Sequence, residues 1–307
     1  MLRTKGQMAE TGSGGQPSTR STRLPAEPAA TGATIERAGR IVRPDQRLGQ
    51  LVPRRPEGVT GGQWNAASRA LFDFVVSDPD GAAASFAVEL VDTSVQTPQT
   101  HRDDRMKHAV CDAVGLELLR IESATLQPRT HGRRIVEYVI DARAFQAATG
   151  DPAEYAALAP DAPRSYRDIV GRLPDGSSGH VNDLGAAARS AAVEAYVNRE
   201  LVDPILRSLH LDWKDGPAEG WAWLQVRPGA YLFERVRVWQ QRFSCGIEPG
   251  RLAEDLATMA VGERLRLRET VELPLTGRDR LTGELDGLRR RRDELLNPYA
   301  FEHVSFD

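Results

Sequence analysis

Apolar and polar positions along this chain repeat with two periods, and the switches between them mark its elements. Residues 1–34 show neither period. Gly, Ser, Thr, Pro and Ala dominate there, with too little apolar surface to fold, so a disordered tail is predicted. Beyond it, Arg40 to Val52 holds one short strand, and RRPEGVTGGQ (residues 54–63) reads as loop. Leu71–Ser77 (LFDFVVS) and Ser85–Val91 (SFAVELV) are strand-length apolar runs. Between them Asp78-Pro79-Asp80-Gly81 offers turn chemistry: a proline-fixed φ, backbone-capping carboxylates and a glycine that tolerates positive φ. A hairpin follows.

A polar loop over 93–100 leads into a helix predicted from about Arg102 to Val114. Met106, Ala109, Val110, Ala113 and Val114 fall at the spacing of a buried stripe, and Gly115 stands where such a helix ends. Leu116–Ile121 (LELLRI) is a third strand. A crossover this long between strands implies a parallel pair in a βαβ unit. A second helix spans about Gly132–Ala148. The proline-bearing stretch 151–164 reads as a linker. Residues 165–307 then form an α+β region: helices near 182–199, 249–260 and 279–296, and strands at Leu209–Trp213, Trp221–Val226 and Tyr231–Val238. Trp213, Trp221, Trp223 and Trp239 are expected to fill its core. The fold class is α/β.

Composition narrows function mainly by exclusion. With 307 residues, 40% hydrophobic and 27% charged, the chain has an ordinary globular balance. Two cysteines rule out a disulfide framework, and Cys111, inside a helix, reads as a buried structural thiol. There is no apolar signal region and no run near the ~18 apolar residues a membrane span needs, which points to the cytoplasm. A net charge of −3 neither requires nor excludes a nucleic-acid partner, since a local groove matters more than the total. The chain lacks a phosphate-binding glycine loop, a G-x-S-x-G and an H-E-x-x-H.

The chemistry lies in two acids. Asp73 interrupts one strand of the hairpin and Glu89 the other. A carboxylate in a buried strand is costly unless paired, hydrogen-bonded or metal-bound. On an antiparallel hairpin their separation could bring the two to one end of the sheet, where they could chelate a divalent cation such as Mg²⁺ or Mn²⁺. The competing readings are structural. Asp73 could be satisfied by backbone amides, Glu89 could pair with Arg120 one strand over, and Lys107 could be a solvated helix residue. His101 reads as part of a helix cap, His108 as solvated, and Arg289–Arg292 as a solvated helix end favoured by the dipole.

The order Asp73, hairpin, Glu89, amphipathic helix, returning strand resembles the PD-(D/E)XK (restriction-endonuclease-like) nuclease superfamily. More narrowly, Phe72-Asp73-Phe74-Val75, Ala87-Val88-Glu89-Leu90 and Gly115-Leu116-Glu117-Leu118-Leu119-Arg120 look like a bacterial domain of unknown function related to very-short-patch repair endonucleases. The likeness covers about residues 35–150. It implies a restriction-endonuclease-like mixed sheet flanked by helices, and a Mg²⁺-dependent nuclease acting on DNA with Asp73 and Glu89 as metal ligands. It also implies that Asp92, the narrower family's second acid, assists or orients water. Position 91, where the superfamily's E-x-K lysine falls, is Val91, and Val95 stands where the narrower family has a histidine. A migrated lysine is a known variation, and Lys107, one of only three lysines among 40 basic residues, is the candidate. The alternative is a catalytically degenerate module of the same fold that binds nucleic acid or a protein without cutting.

Overall fold

A computed structural model describes residues 33–81, 83–95, 97–150, 162–173, 176–268, 270, 272 and 274–297. The predicted tail, apart from its last two positions, lies outside them, as does most of the predicted linker (151–161).

The first half begins with strands β1 (Ile35–Arg37) and β2 (Arg40–Arg47), a single helical turn α1 (Leu48–Leu51) and α2 (Gly61–Ala67). The predicted hairpin is β3 (Leu71–Ser77) and β4 (Ala84–Asp92), paired antiparallel. Helix α3 (Pro98–Val114) then crosses to β5 (Glu117–Ser123), which runs parallel to β4 as the long crossover requires. Helix α4 (Arg133–Thr149) follows. The second half holds a small hairpin, β6 (Val170–Arg172) and β7 (Ser178–His180), then α5 (Ala186–Val197). Three strands come next, β8 (Arg207–Leu211), β9 (Ala218–Arg227) and β10 (Ala230–Gln241). The chain continues through α6 (Pro249–Leu267), β11 (Thr276–Gly277) and α7 (Arg278–Arg290).

The division expected at 151–164 is not a division of the sheet. Among the described residues one nine-stranded mixed sheet runs β1-β2-β3-β4-β5-β10-β9-β8, with β11 on β10, so that β10 from the second half pairs with β5 from the first. The molecule is α/β, a large mixed sheet with helices on both faces. Strand alternation sorts the core. Val76, Val88, Ile121, Leu224 and Val236 point to the face covered by α4, α5 and α6. On the opposite face α2 and α3 cover Val75, Ala87 and Leu118, while α7 covers Trp221, Trp223 and Tyr231. Helix α6 is buried along nearly its whole length, and Gly220 makes this possible. A Cβ there would lie 2.0 Å from the Ala253 backbone, so only glycine lets α6 lie this close to β9.

Several local expectations need correction. Helix α3 starts at Pro98, because Thr97 caps it and proline suits its first position, so the last three residues of the predicted 93–100 loop are helical. The buried face of α3 is Lys107, Val110 and Cys111, whereas Ala113 and Val114 are exposed. Part of the predicted loop at 54–63 is the start of α2, whose capping box pairs Thr60 with Gln63. Trp213, Trp221 and Trp223 are core residues, but Trp239 is 41% exposed. No helix among the described residues is long and apolar enough to cross a membrane.

Candidate functional site

The hairpin register pairs Phe74 with Val88, so Asp73 and Glu89, the next residue on each strand, share the opposite face. Both line one cleft of about 320 Å³, with Val91, Asp92, Thr100, Asp104 and Lys107 among the other walls. Helix α3 roofs it. Thr97 and Gly115, with φ 69°, fix its two ends, and this register turns Asp104 and Lys107 down onto the strands.

Glu89 and Lys107 are 2% and 6% exposed, so each charge requires a partner. Lys107 Nζ lies 2.7 Å from Glu89 Oε1 and donates to Asp104 Oδ1 at 3.1 Å. Burial alone would lower the Lys107 pKa, yet Glu89 and Asp104 outweigh it and hold the ammonium above its usual value. Arg120 sits opposite Glu89 on β5 and bridges three acids. It donates to Asp104 Oδ2 at 2.7 Å, to Glu122 Oε1 at 3.0 Å and to Glu89 Oε2 at 3.4 Å. Burial pushes the Asp104 carboxyl up, but Arg120 and Lys107 overcome this and leave it below the normal range.

Asp73 is different. One of its oxygens accepts from the Leu90 amide at 2.6 Å. Burial is the largest influence and, with Glu89 opposite, raises its pKa to about 6 despite that hydrogen bond. A half-buried acid facing another acid is a group whose ionised form gains from a cation.

The structure thus brings Asp73, Glu89 and Lys107 together. Asp92 stands at the rim with both oxygens engaged: Oδ1 accepts from the Ser94 amide and hydroxyl at 2.8 and 2.6 Å, and Oδ2 from Gln127 Nε2 at 3.3 Å. These contacts make it the brace of the turn after β4. The solvated reading of Lys107 is overturned by its burial. That of His108 is corrected too: the imidazole is half-buried with Nε2 enclosed, and burial lowers its pKa. Sequence reasoning left Asp104 and Glu122 unassigned and treated Arg120 only as a rival partner for Glu89. The available signal was charge in apolar surroundings, since LELLRIES places both Arg120 and Glu122 in a buried strand.

Can these residues hold a divalent ion? Among the described residues no group of three or more His, Cys, Asp or Glu is placed to do so, and the donor set here is two carboxylates. That set suits Mg²⁺, which usually takes one or two carboxylates and completes its shell with water and phosphate oxygens. Asp73 fits, as a cleft-lining acid with a raised pKa. Glu89 fits as well: an ionised carboxylate has about four acceptor positions, of which the Arg120 hydrogen bond takes one, and Oε1, though 2.7 Å from Lys107 Nζ, accepts no hydrogen bond.

Residues 57–138 match a family model described as a protein of unknown function (DUF2726). The matched stretch contains Asp73, Glu89, Asp92, Asp104, Lys107 and Arg120; β8 to β10 lie outside it. No curated protein and no solved structure matches the chain.

Proposed function

We propose that this chain carries a metal-dependent phosphodiesterase site, that of a nuclease acting on DNA, in a restriction-endonuclease-like core. The observation that carries the reading is the placement of two strand carboxylates on one cleft, with a buried lysine from the crossover helix 2.7 Å from one of them. Asp73 and Glu89 would hold the ion. When bound, a divalent cation polarises a scissile phosphate and lowers the pKa of its water. The chain's own groups do the rest. The Leu90 amide fixes how Asp73 is oriented. The Lys107 ammonium is a compact charge on the cleft wall, suited to offset negative charge that develops on phosphate oxygens. Asp104 and Arg120 hold Lys107 and Glu89 in place.

One observation favours a second reading, a module that binds without cutting. Both Glu89 oxygens already meet cationic side chains, and Val91 supplies no charge at the E-x-K position.

Plasmid nicking with Mg²⁺ or Mn²⁺ separates the two. Wild type is expected to nick, with Asp73→Ala and Glu89→Ala each reduced on the order of 10²–10³-fold, as for the loss of one preorganised electrostatic contact. Nicking that survives both substitutions would come from a contaminant and end the enzyme reading. Salt-dependent DNA binding with no nicking would support the second.

A further inference from the structure

Between the covers formed by α3 and α7, a strip of the sheet face that carries the site shows Trp239 and Arg237 exposed beside buried Arg120, Glu122 and Glu219. The register Glu89↔Arg120↔Trp239 runs straight across it from the cleft. The next rung toward the C-terminal end of β5 is Val91↔Glu122↔Arg237↔Glu219. Trp239 therefore lies two strand spacings, about 10 Å, from Glu89, on the same face.

We infer that this strip seats an unpaired nucleic-acid strand, with a base stacked on the Trp239 indole and a phosphate held by Arg237. The inference rests on the nucleic-acid reading above and adds the form of nucleic acid and two residues that bind it.

Three observations carry it. The first is the exposure of Trp239. Of the chain's five tryptophans, Trp213, Trp221 and Trp223 are buried and Trp64 is half-buried, whereas Trp239 is 41% exposed. Trp239 pairs with Arg120 of β5, and the β9 register ends one residue earlier, at Val238↔Ala218, so the indole stands on the sheet face just past the end of β9. The second is the state of Arg237. Neighbouring Arg235 is held tightly, making two 2.8 Å bonds to Glu219 and lying over the Trp221 ring. Arg237 is 39% exposed at its side chain, and its carboxylate contacts are long, 3.4 Å to Glu219 and 3.7 Å to Glu122. It keeps guanidinium donors for an anion. The third is a second cleft of about 290 Å³ beside Arg237, walled also by Phe233, Arg235, Glu122 and the paired Glu234 and Arg264. An aromatic platform beside a cation is how proteins grip unpaired strands, and a base inside a duplex has no free face for such a platform.

The test uses the intact protein in EDTA, a labelled oligothymidylate, and a blunt hairpin duplex of the same length. Oligothymidylate is expected to bind more tightly than the duplex and to quench tryptophan emission. Trp239→Ala should weaken binding about tenfold, the loss of one stacked base, while Trp239→Phe retains most of the affinity but loses the quenching. Arg237→Ala should lower the slope of log affinity against log salt by about 0.7, one phosphate contact on a single strand. Equal binding of oligothymidylate by wild type and Trp239→Ala, or preference for the duplex with unmoved emission, overturns the inference. Asp73-dependent nicking alongside either result would leave the proposed function standing. Failure of the wild type to bind either nucleic acid also overturns the inference, and the nicking assay with Mg²⁺ or Mn²⁺ then decides the proposed function on its own.

Discussion

Arg120→Ala is expected to destabilise the protein by about 3–5 kcal/mol, the usual consequence of removing one partner from a buried ion cluster. The size follows from what is left behind. Arg120 is 3% exposed and joins Glu89, Asp104 and Glu122. Truncation leaves Glu89 and Asp104 with Lys107 alone, and Glu122 with only a 3.7 Å contact to Arg237. Arg120→Lys should recover only part of the loss, because one ammonium cannot span three acids. Urea unfolding at neutral pH measures both. A loss under about 1 kcal/mol for the alanine variant would mean that the cluster is solvated, and the description of a buried, self-neutralising site would be wrong.

The second large effect has the opposite sign. Asp73→Asn is expected to stabilise the metal-free protein at pH 8, on the order of 2–3 kcal/mol, while removing activity. The carboxyl pKa rises on folding from 3.8 to about 6, with burial the main cause, and each unit corresponds to about 1.36 kcal/mol. For an acid raised in this way the folded state holds its proton more tightly than the unfolded one. Ionised Asp73 is therefore a cost fully present above pH 6, which fades as pH falls from 6 to 3.8 and is absent below that. Asparagine is neutral throughout and still offers Leu90 an oxygen. The difference between the two proteins should thus be widest at pH 8 and close near pH 4. A difference that stays constant with pH would show that the charge is not its origin. Such a combination, a residue that harms stability but is needed for chemistry, is what a preorganised site leads one to expect.

Much of this was legible in the chain. The hairpin followed from two apolar runs around Asp78-Pro79-Asp80-Gly81, and the parallel pairing of β4 with β5 from the length of the crossover. Asp73 and Glu89 were legible as acids in apolar company. The burial of Lys107 was not, because a periodicity argument counts lysine as polar and turns it outward. Its partners, Asp104 on the same helix and Glu89 across the cleft, become visible only when helix and sheet are packed. The same blindness misplaced the buried stripe of α3. The start of that helix was hidden behind polar residues, although Thr97-Pro98 is a capping signal. Least legible was the union of the two halves. Alternation shows which face of β10 is apolar but carries nothing about which strand β10 will pair with, so the strands after residue 165 read as a separate region when they complete the same sheet.

We propose that the two opposed carboxylates, Asp73 and Glu89, form a seat for a divalent cation. Thermal unfolding at pH 8 with increasing Mn²⁺ tests it without requiring a substrate. Binding to the folded state alone raises the midpoint with metal concentration. The wild type should gain several degrees by millimolar Mn²⁺, while Asp73→Asn, though more stable at the outset, should gain little. Equal gains in the two proteins, or none in either, would contradict the claim.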